Sequence, residues 1–469
     1  MAKHTKQFTN ETEYTSYISS QNYREPLVSV MNDKRRLGYN NHKEEIIATI
    51  DSNLELITIA RQKSWIPSTQ TYLTKHEAES VTSIQLNGTN IKTFDEFRYF
   101  TNVTNLAGTT GSPHGGSSGS FESCQELTSI ILPNSITEIS AFAFYACYKL
   151  THIIIPKSVT QIKYNAFGDC RSLEEIILPN SITSLDGPSP GTIFQNCISL
   201  KYIEIPDSVK EVSVSCFSGC INLSSVTLHE GLTKINGSAF NSCENLTNID
   251  IPSTVTELGE YCFSSCINLS EITFHGNSLT TIKNGCFRYC QNLHEIKIPE
   301  SVTSIAPYCF YDSGIKNIII PEGVTTLSDY LFADCGELST VVIPESVETI
   351  GSYTFAQYYD LSLENSSARS TNIHRHNPMK LTIPKSVAYI GSYCFSGLIS
   401  EIKIDYTKDP YAVNVGGSPL YWKIPQITAT TFSNIDFNKT SIYIQKDYYN
   451  KYQTTAYWSS IISYLKKYD

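Results

Sequence analysis

Charge is scarce in this chain. Only 17% of its 469 residues are Asp, Glu, Lys or Arg, against a usual share of about 25%. The surface must therefore be built mainly from neutral polar side chains and from many of the 30 tyrosines. Cationic excess is also missing. A net charge of −10 argues against non-specific binding to nucleic acid or to an anionic membrane. No stretch approaches the 18 or so consecutive apolar residues of a membrane-spanning helix, so membrane insertion is not expected. The first residues, MAKHTKQFTNETEYTSYISSQNYREP, hold no apolar core of a secretion signal. The expectation is synthesis in a cytosol, with export only by another route.

Catalytic signatures are lacking too. There is no phosphate-binding glycine loop, no H-E-x-x-H, no dinucleotide-binding glycine pattern and no paired-carboxylate site in a credible setting. Gly115-Gly116-Ser117-Ser118-Gly119 matches G-x-S-x-G formally. A nucleophile elbow needs a strand before it and a helix after it, and here a Gly/Ser-rich loop lies on one side. The chain is expected to be no enzyme and to carry no cofactor or metal.

What is present is a repeat. Pro133, in ILPNSI, has counterparts at Pro156, Pro179, Pro206, His229, Pro252, His275, Pro299, Pro321, Pro344 and Pro384. A phenylalanine ladder keeps step with it, from Phe121, Phe144 and Phe167 through to Phe355 and Phe395. The step is mostly 23 residues, and both ladders share its irregularities. One unit reads L-x-x-I-x-[IL]-P-x-S-[VI]-T-x-I-x-x-x-[AC]-F-x-x-C-x-x-L. Leu150, Ile153 and Ile155 have the spacing of a short strand with one buried face. Proline ends that strand because it has no N–H to continue a ladder. Val159 and Ile162 turn back inward, and Phe167 fills the space between coils. A single coil cannot bury its own apolar face, so stacking must supply the missing wall. About a dozen coils at ~4.8 Å each give a rod or arc on the order of 60 Å long.

The unit LTHIIIPKSVTQIKYNAFGDC resembles the BspA-like class of leucine-rich repeats, the 23-residue type common in gut bacteria and some protozoa. The resemblance covers about residues 81–405. It implies a mainly β repeat solenoid with short turns and 3-10 segments, an arc of about 12 coils closed by N- and C-terminal caps. It also implies a binding and display scaffold rather than a reaction class. The domain reading is 1–80 as an N-terminal cap or attachment segment, 81–405 as the solenoid and 406–469 as a C-terminal capping module.

The register accounts for all 14 cysteines. Nine lie three residues after a ladder phenylalanine, and Cys216, Cys262, Cys286, Cys309 and Cys394 lie just before one. Zinc sites need two converging clusters, whereas these C-x-x-x-C pairs arise because two repeat slots both hold Cys. Small, buried, reduced core residues are therefore expected in place of zinc ligands or disulfides between coils.

The ends and insertions are less regular. In KEEIIATIDSNLELITIARQ, Ile46, Ile47 and Ile50 fit one face of a helix, while LELITI at 54–59 fits a strand. Between Phe8 and Asn40, the stretches EYTSY, REPLVSV and GYN resemble N-terminal segments of structural proteins of Bacteroides-infecting tailed phages. The plainer reading of the same segment is a cap over the first coil, a role compatible with attachment. TFDEFRYFTNVTNLAG, at 93–108, resembles the first coil of BspA-like proteins. Insertions fall at 186–191 and 357–380, and the longer one holds His374, Arg375 and His376, three donors able to grip a phosphate or carboxylate. The closing residues resemble the terminal module of BspA-like proteins. They are expected to form a last strand at Ile442–Ile444 and a helical stripe of Tyr452, Trp458, Ile461 and Tyr464, covering the end of the last coil.

In L-x-x-I-x-I the x positions point outward. At the middle x the coils present Ile131, Ile154 and Ile177, then Glu204, Thr227 and Asp250, and onward to Lys403. The first three form an apolar stripe flanked by Thr128, Ser129, Thr151 and His152. Such a stripe marks a contact surface, reflects plain β-propensity, or lies under the first 80 residues. Ile131, Ile154, Ile177, His152, His374, Arg375 and His376 are the candidate partner-binding residues. The expected function is recognition and display on a gut-bacterium phage particle, as a fibre, decoration or receptor-binding protein. Its ligand would be protein or glycan on a cell surface, with capsid or tail proteins held by residues 1–80. The alternative is a bacterial or protozoal surface adhesin for host matrix proteins. The expected location is the virion, or else the cell surface. A homo-oligomer is compatible with the repeats but not specified by them.

Overall fold

The computed structural model describes residues 44–110, 117–185, 192–357, 379–395, 399–404 and 426–433, then 435, 437, 440–446, 452–453 and 457–468. It is a β-solenoid of about 12 turns with few helices.

The described chain begins with β1 (Ile46–Thr49), α1 (Leu54–Gln62), β2 (Tyr72–Thr74) and α2 (Lys75–Ser80). β1 and β2 pair antiparallel. This reverses the sequence expectation, which made the first stretch helical and the second a strand. The cause is turn and cap chemistry. Thr49 and Ser52 exchange hydrogen bonds that close the turn after β1, and the Asn53 side chain accepts from the Leu56 N–H at 3.0 Å to start α1. An N-cap of this kind is worth about 1 kcal/mol. Leu56, Ile57 and Ala60 then share the buried face, so packing overrides the β-branched composition. Thr74 and Glu77 form a capping box that starts α2.

Each coil follows one plan. Leu150, Ile153 and Ile155 point into the core, as do Val159, Ile162 and Phe167. The outer strands pair parallel between neighbouring coils, with His152 opposite Glu175 and Ile154 opposite Ile177. The phenylalanines stack nearly flat, with centroids 5.2 Å apart from Phe121 to Phe144 and 5.4 Å from Phe217 to Phe240. On the turn side most coils hold two residues in left-handed backbone, one two positions before and one two positions after the phenylalanine. Around Phe167 these are Asn165 (φ 51°) and Asp169 (φ 56°), and around Phe240 they are Ser238 (φ 54°) and Ser242 (φ 59°). Left-handed backbone costs an L-residue about 1–2 kcal/mol. The turn offsets this with a second ladder: Phe167 N–H donates to Ile193 O at 2.9 Å and Asp169 N–H to Gln195 O at 2.8 Å. In the later coils tyrosines take the first of these slots, and Tyr308, Tyr330, Tyr353 and Tyr393 stack at 4.6 to 4.9 Å. The coils approach so closely that a Cβ on Gly259 would lie 2.4 Å from the Gly237 nitrogen.

All 14 cysteines are free and buried, and the register reading is refined in one respect. The column after the phenylalanine is not merely apolar. Cys147 Sγ–H donates to Phe121 O, Cys170 to Phe144 O and Cys243 to Phe217 O, at 3.1, 3.1 and 3.3 Å. Each thiol thus supplies a second hydrogen bond to a carbonyl of the preceding coil.

Aromatic clusters close both ends of the phenylalanine column. Phe94, Phe97 and Phe100 are fully buried at the first coil, with Trp65 edge-on to Phe100 at 5.3 Å. At the other end Trp458 packs edge-on to Phe432 at 5.4 Å and to Tyr452 at 4.9 Å. The expected last strand is present at Ser441–Gln445, but a further strand, Leu465–Tyr468, adds parallel beyond it after a 3-10 segment, Trp458–Tyr464. Tyr464 departs from the expected buried stripe. It is 49% exposed and stacks on Phe437 at 4.2 Å, because the chain leaves the 3-10 segment at Leu465 to enter that strand.

Candidate recognition surface

The outward positions of the strands form continuous columns because every coil repeats the same register. Ile131 bridges Ile154, and Ile154 pairs with Ile177. All three are half-buried, so the stripe expected from sequence exists as adjacent side chains. His152 stands beside it, with Nδ1 2.9 Å from Thr151 Oγ1. Burial lowers the His152 pKa, against the pull of the Asp95 carboxylate. Burial also raises the Asp95 pKa, and the Ser129 hydroxyl that donates to Asp95 Oδ1 at 3.2 Å opposes that rise. Asp95 and His152 both stand at the N-terminal end of the face, and burial disfavours the charged form of each. His374, Arg375 and His376 lie outside the described residues.

The middle of the face is acidic, and two histidines are tied into it. His229 Nε2 lies 3.1 Å from Glu204 and its Nδ1 3.2 Å from Asp207. His275 Nε2 lies 3.2 Å from Asp250. Sequence reasoning saw these histidines only as occupants of the proline slot. The signal for more was a carboxylate in the middle strand slot one coil earlier in each case. Tyr202 donates to Glu204 at 2.8 Å, fixing the same carboxylate from its own strand.

The most exposed apolar side chains on the face lie further along and were not singled out from sequence. Ile319 is 65% exposed and Val342 49%, and they are register partners. Beyond them the column continues through Thr382, Lys403 and Tyr443 to Lys466. Their chemical type was legible in the slot pattern, but their exposure was not, since Ile154 and Ile319 occupy the same slot. Among the described residues no group of three or more His, Cys, Asp or Glu is placed to hold a metal. The surface offers branched apolar side chains, carboxylates and ammonium groups in ordered rows, which suits non-covalent recognition.

The family description "BspA type Leucine rich repeat region" matches in 6 copies, over residues 117–188, 190–279, 276–377 and 370–454. Among solved structures, a leucine-rich repeat protein from Bacteroides ovatus is similar at 22% identity. The match covers 78% of this chain and 92% of that one, with a TM-score of 0.49. A leucine rich cell surface protein from Faecalibacterium prausnitzii is similar at 26% identity, over 60% of this chain and 80% of that one, with a TM-score of 0.38. The pneumococcal vaccine antigen PcpA is similar at 19% identity, over 71% and 83%, with a TM-score of 0.38. No curated protein matches the chain.

Proposed function

This chain belongs to the BspA type leucine-rich repeat family, and from that premise we propose a non-enzymatic recognition and display protein that binds through the outer face of its strands. One observation carries the reading. Ile319 and Val342 project from adjacent coils at 65% and 49% exposure, flanked along the column by Lys297 and Thr382. Branched apolar groups held outward by a rigid sheet cost solubility and are retained where a partner covers them. The stripe of Ile131, Ile154 and Ile177 with His152 is the second contact area of the same face.

The ligand is protein or glycan on a cell surface. Display on the particle of a gut-bacterium phage, with residues 1–80 docking on capsid or tail, rests on the resemblance read from the sequence alone at residues 8–40. Display as a cell-surface adhesin is the alternative. Mass spectrometry of purified particles and of surface-shaved cells from the source separates them: presence in virions supports the first, and presence only on cells removes it. For the face itself, Ile319→Asp together with Val342→Asp is expected to reduce binding of the purified chain to target cells by at least tenfold. Unchanged binding by this folded variant would place recognition elsewhere.

A further inference from the structure

The middle slot of the strand face reads nearly the same from both ends, with the sign of charge reversed. Phe94 is the register partner of Ile130, so Asp95 stands in the slot before Ile131. From there the order is an acid, three isoleucines and Glu204. Thr227, Asp250 and Thr273 follow in the middle. The far half runs Lys297, Ile319, Val342, Thr382 and Lys403. Acids stand where the N-terminal apolar stretch begins and ends, and lysines where the C-terminal one does.

We propose that this face pairs two copies of the chain, antiparallel, about a two-fold axis that runs parallel to the strands over Asp250. That operation sets Ile154 opposite Val342 of the second copy and Ile177 opposite Ile319. Both matches are apolar, and the more exposed partner of each covers a half-buried one. It also sets Glu204 opposite Lys297 and Asp95 opposite Lys403. Lys297 is exposed and has no ion pair among the described residues, so it is available to a second copy. Thr227 and Thr273 face each other near the axis as neutral, hydrogen-bonding neighbours. Because the patch is self-complementary, every contact off the axis is made twice, as an isologous interface requires. One contact is unfavourable. Asp250 meets its own copy on the axis, relieved only by His275, which lies 3.2 Å from it within each chain.

The pairing rests on the reading of the strand face as the working surface, for which a ligand and a second copy then compete, and it is tested separately from that reading. Sedimentation velocity of the full chain from about 1 to 100 µM is expected to show a monomer–dimer equilibrium. Ile319→Asp should leave a monomer across that range, with an unchanged melting temperature as the check on folding. Lys297→Glu should weaken association by tenfold or more, since it sets like charges against each other. Adding Glu204→Lys to Lys297→Glu reverses both members of the pair and should restore the dimer. Asp250→Asn should tighten it severalfold. A monomer at 100 µM, a dimer indifferent to Ile319→Asp, a charge swap that fails to restore association, or growth beyond the dimer would each overturn the proposal. Cell binding by the monomeric chain is read in a different assay, so loss of self-pairing leaves the recognition reading standing or falling on its own result.

Discussion

The chemistry of single residues in this protein is set by which column of the solenoid they occupy. The cysteines show it most directly. Burial pushes the Cys124 thiol up to about 11 and Cys335 to about 12, and Cys243 is raised by burial in the same way. A thiol needs its thiolate to react, so these groups act as packing and as weak hydrogen-bond donors. His152 is the residue most open to test. Its folded pKa lies below the ordinary 6.5 because burial disfavours the imidazolium. The unfolded chain therefore binds its proton more readily, and the stability His152 permits is full above pH 6.5 and lost as pH falls below it. Asp95 has the opposite sign: its raised pKa favours the fold in acid and loses that contribution as pH rises through the carboxylate range. Between pH 7.5 and 5.5 the histidine governs. His152→Gln is expected to lose less melting temperature over that interval than the parent chain. Equal losses measured by calorimetry would remove His152 as a source of acid lability.

At the scale of elements, a stacked phenylalanine column joins the coils alongside the strand ladders. The outer strands are short, two to four residues in most coils, so each contributes few backbone hydrogen bonds. The stacked rings run without a break from Phe121 to Phe395 at 5.2 to 6.2 Å. Phe240 is fully buried between Phe217 at 5.4 Å and Phe263 at 5.6 Å. Phe240→Ala should cost about 3–5 kcal/mol, read as a drop in the urea midpoint of the coils around it. A cost below about 1 kcal/mol would mean the backbone ladders suffice. The N-terminal helix teaches the complementary lesson. Its β-branched sequence reads as a strand until Asn53 is recognised as a cap, so a local hydrogen bond decided an element that periodicity misassigned.

For the whole molecule the ends matter most, because a solenoid has two open faces and no closure of its own. At the C-terminal end Trp458 covers the last ring of the column, and the strand Leu465–Tyr468 becomes the sheet edge, carrying exposed Lys466 and Lys467. Edge lysines oppose strand addition by other chains. A chain ending before Trp458 should uncover Phe432, Tyr452 and the edge of Ser441–Gln445. It should then aggregate at concentrations where the full chain stays dispersed, as light scattering would record. A truncated chain that remained dispersed would show the end to be protected by other residues.

The coil follows from the residue pattern alone. Two ladders in step, a proline that stops each strand and a phenylalanine in every turn leave one arrangement, since no coil can bury its apolar side alone. The same pattern also determined that the cysteines belong to the core and that Ile131, Ile154 and Ile177 are neighbours. Tertiary structure decided what a repeating pattern is blind to. Identical slots are half-buried at Ile154 and open at Ile319, because exposure depends on what neighbouring coils place beside the slot. The left-handed turns at Asn165 and Asp169 carry no single residue type, since hydrogen bonds between coils, rather than side-chain preference, hold that backbone. The clasp of His229 by Glu204 and Asp207 joins residues about one coil apart, a distance that only the pitch of the solenoid converts into contact.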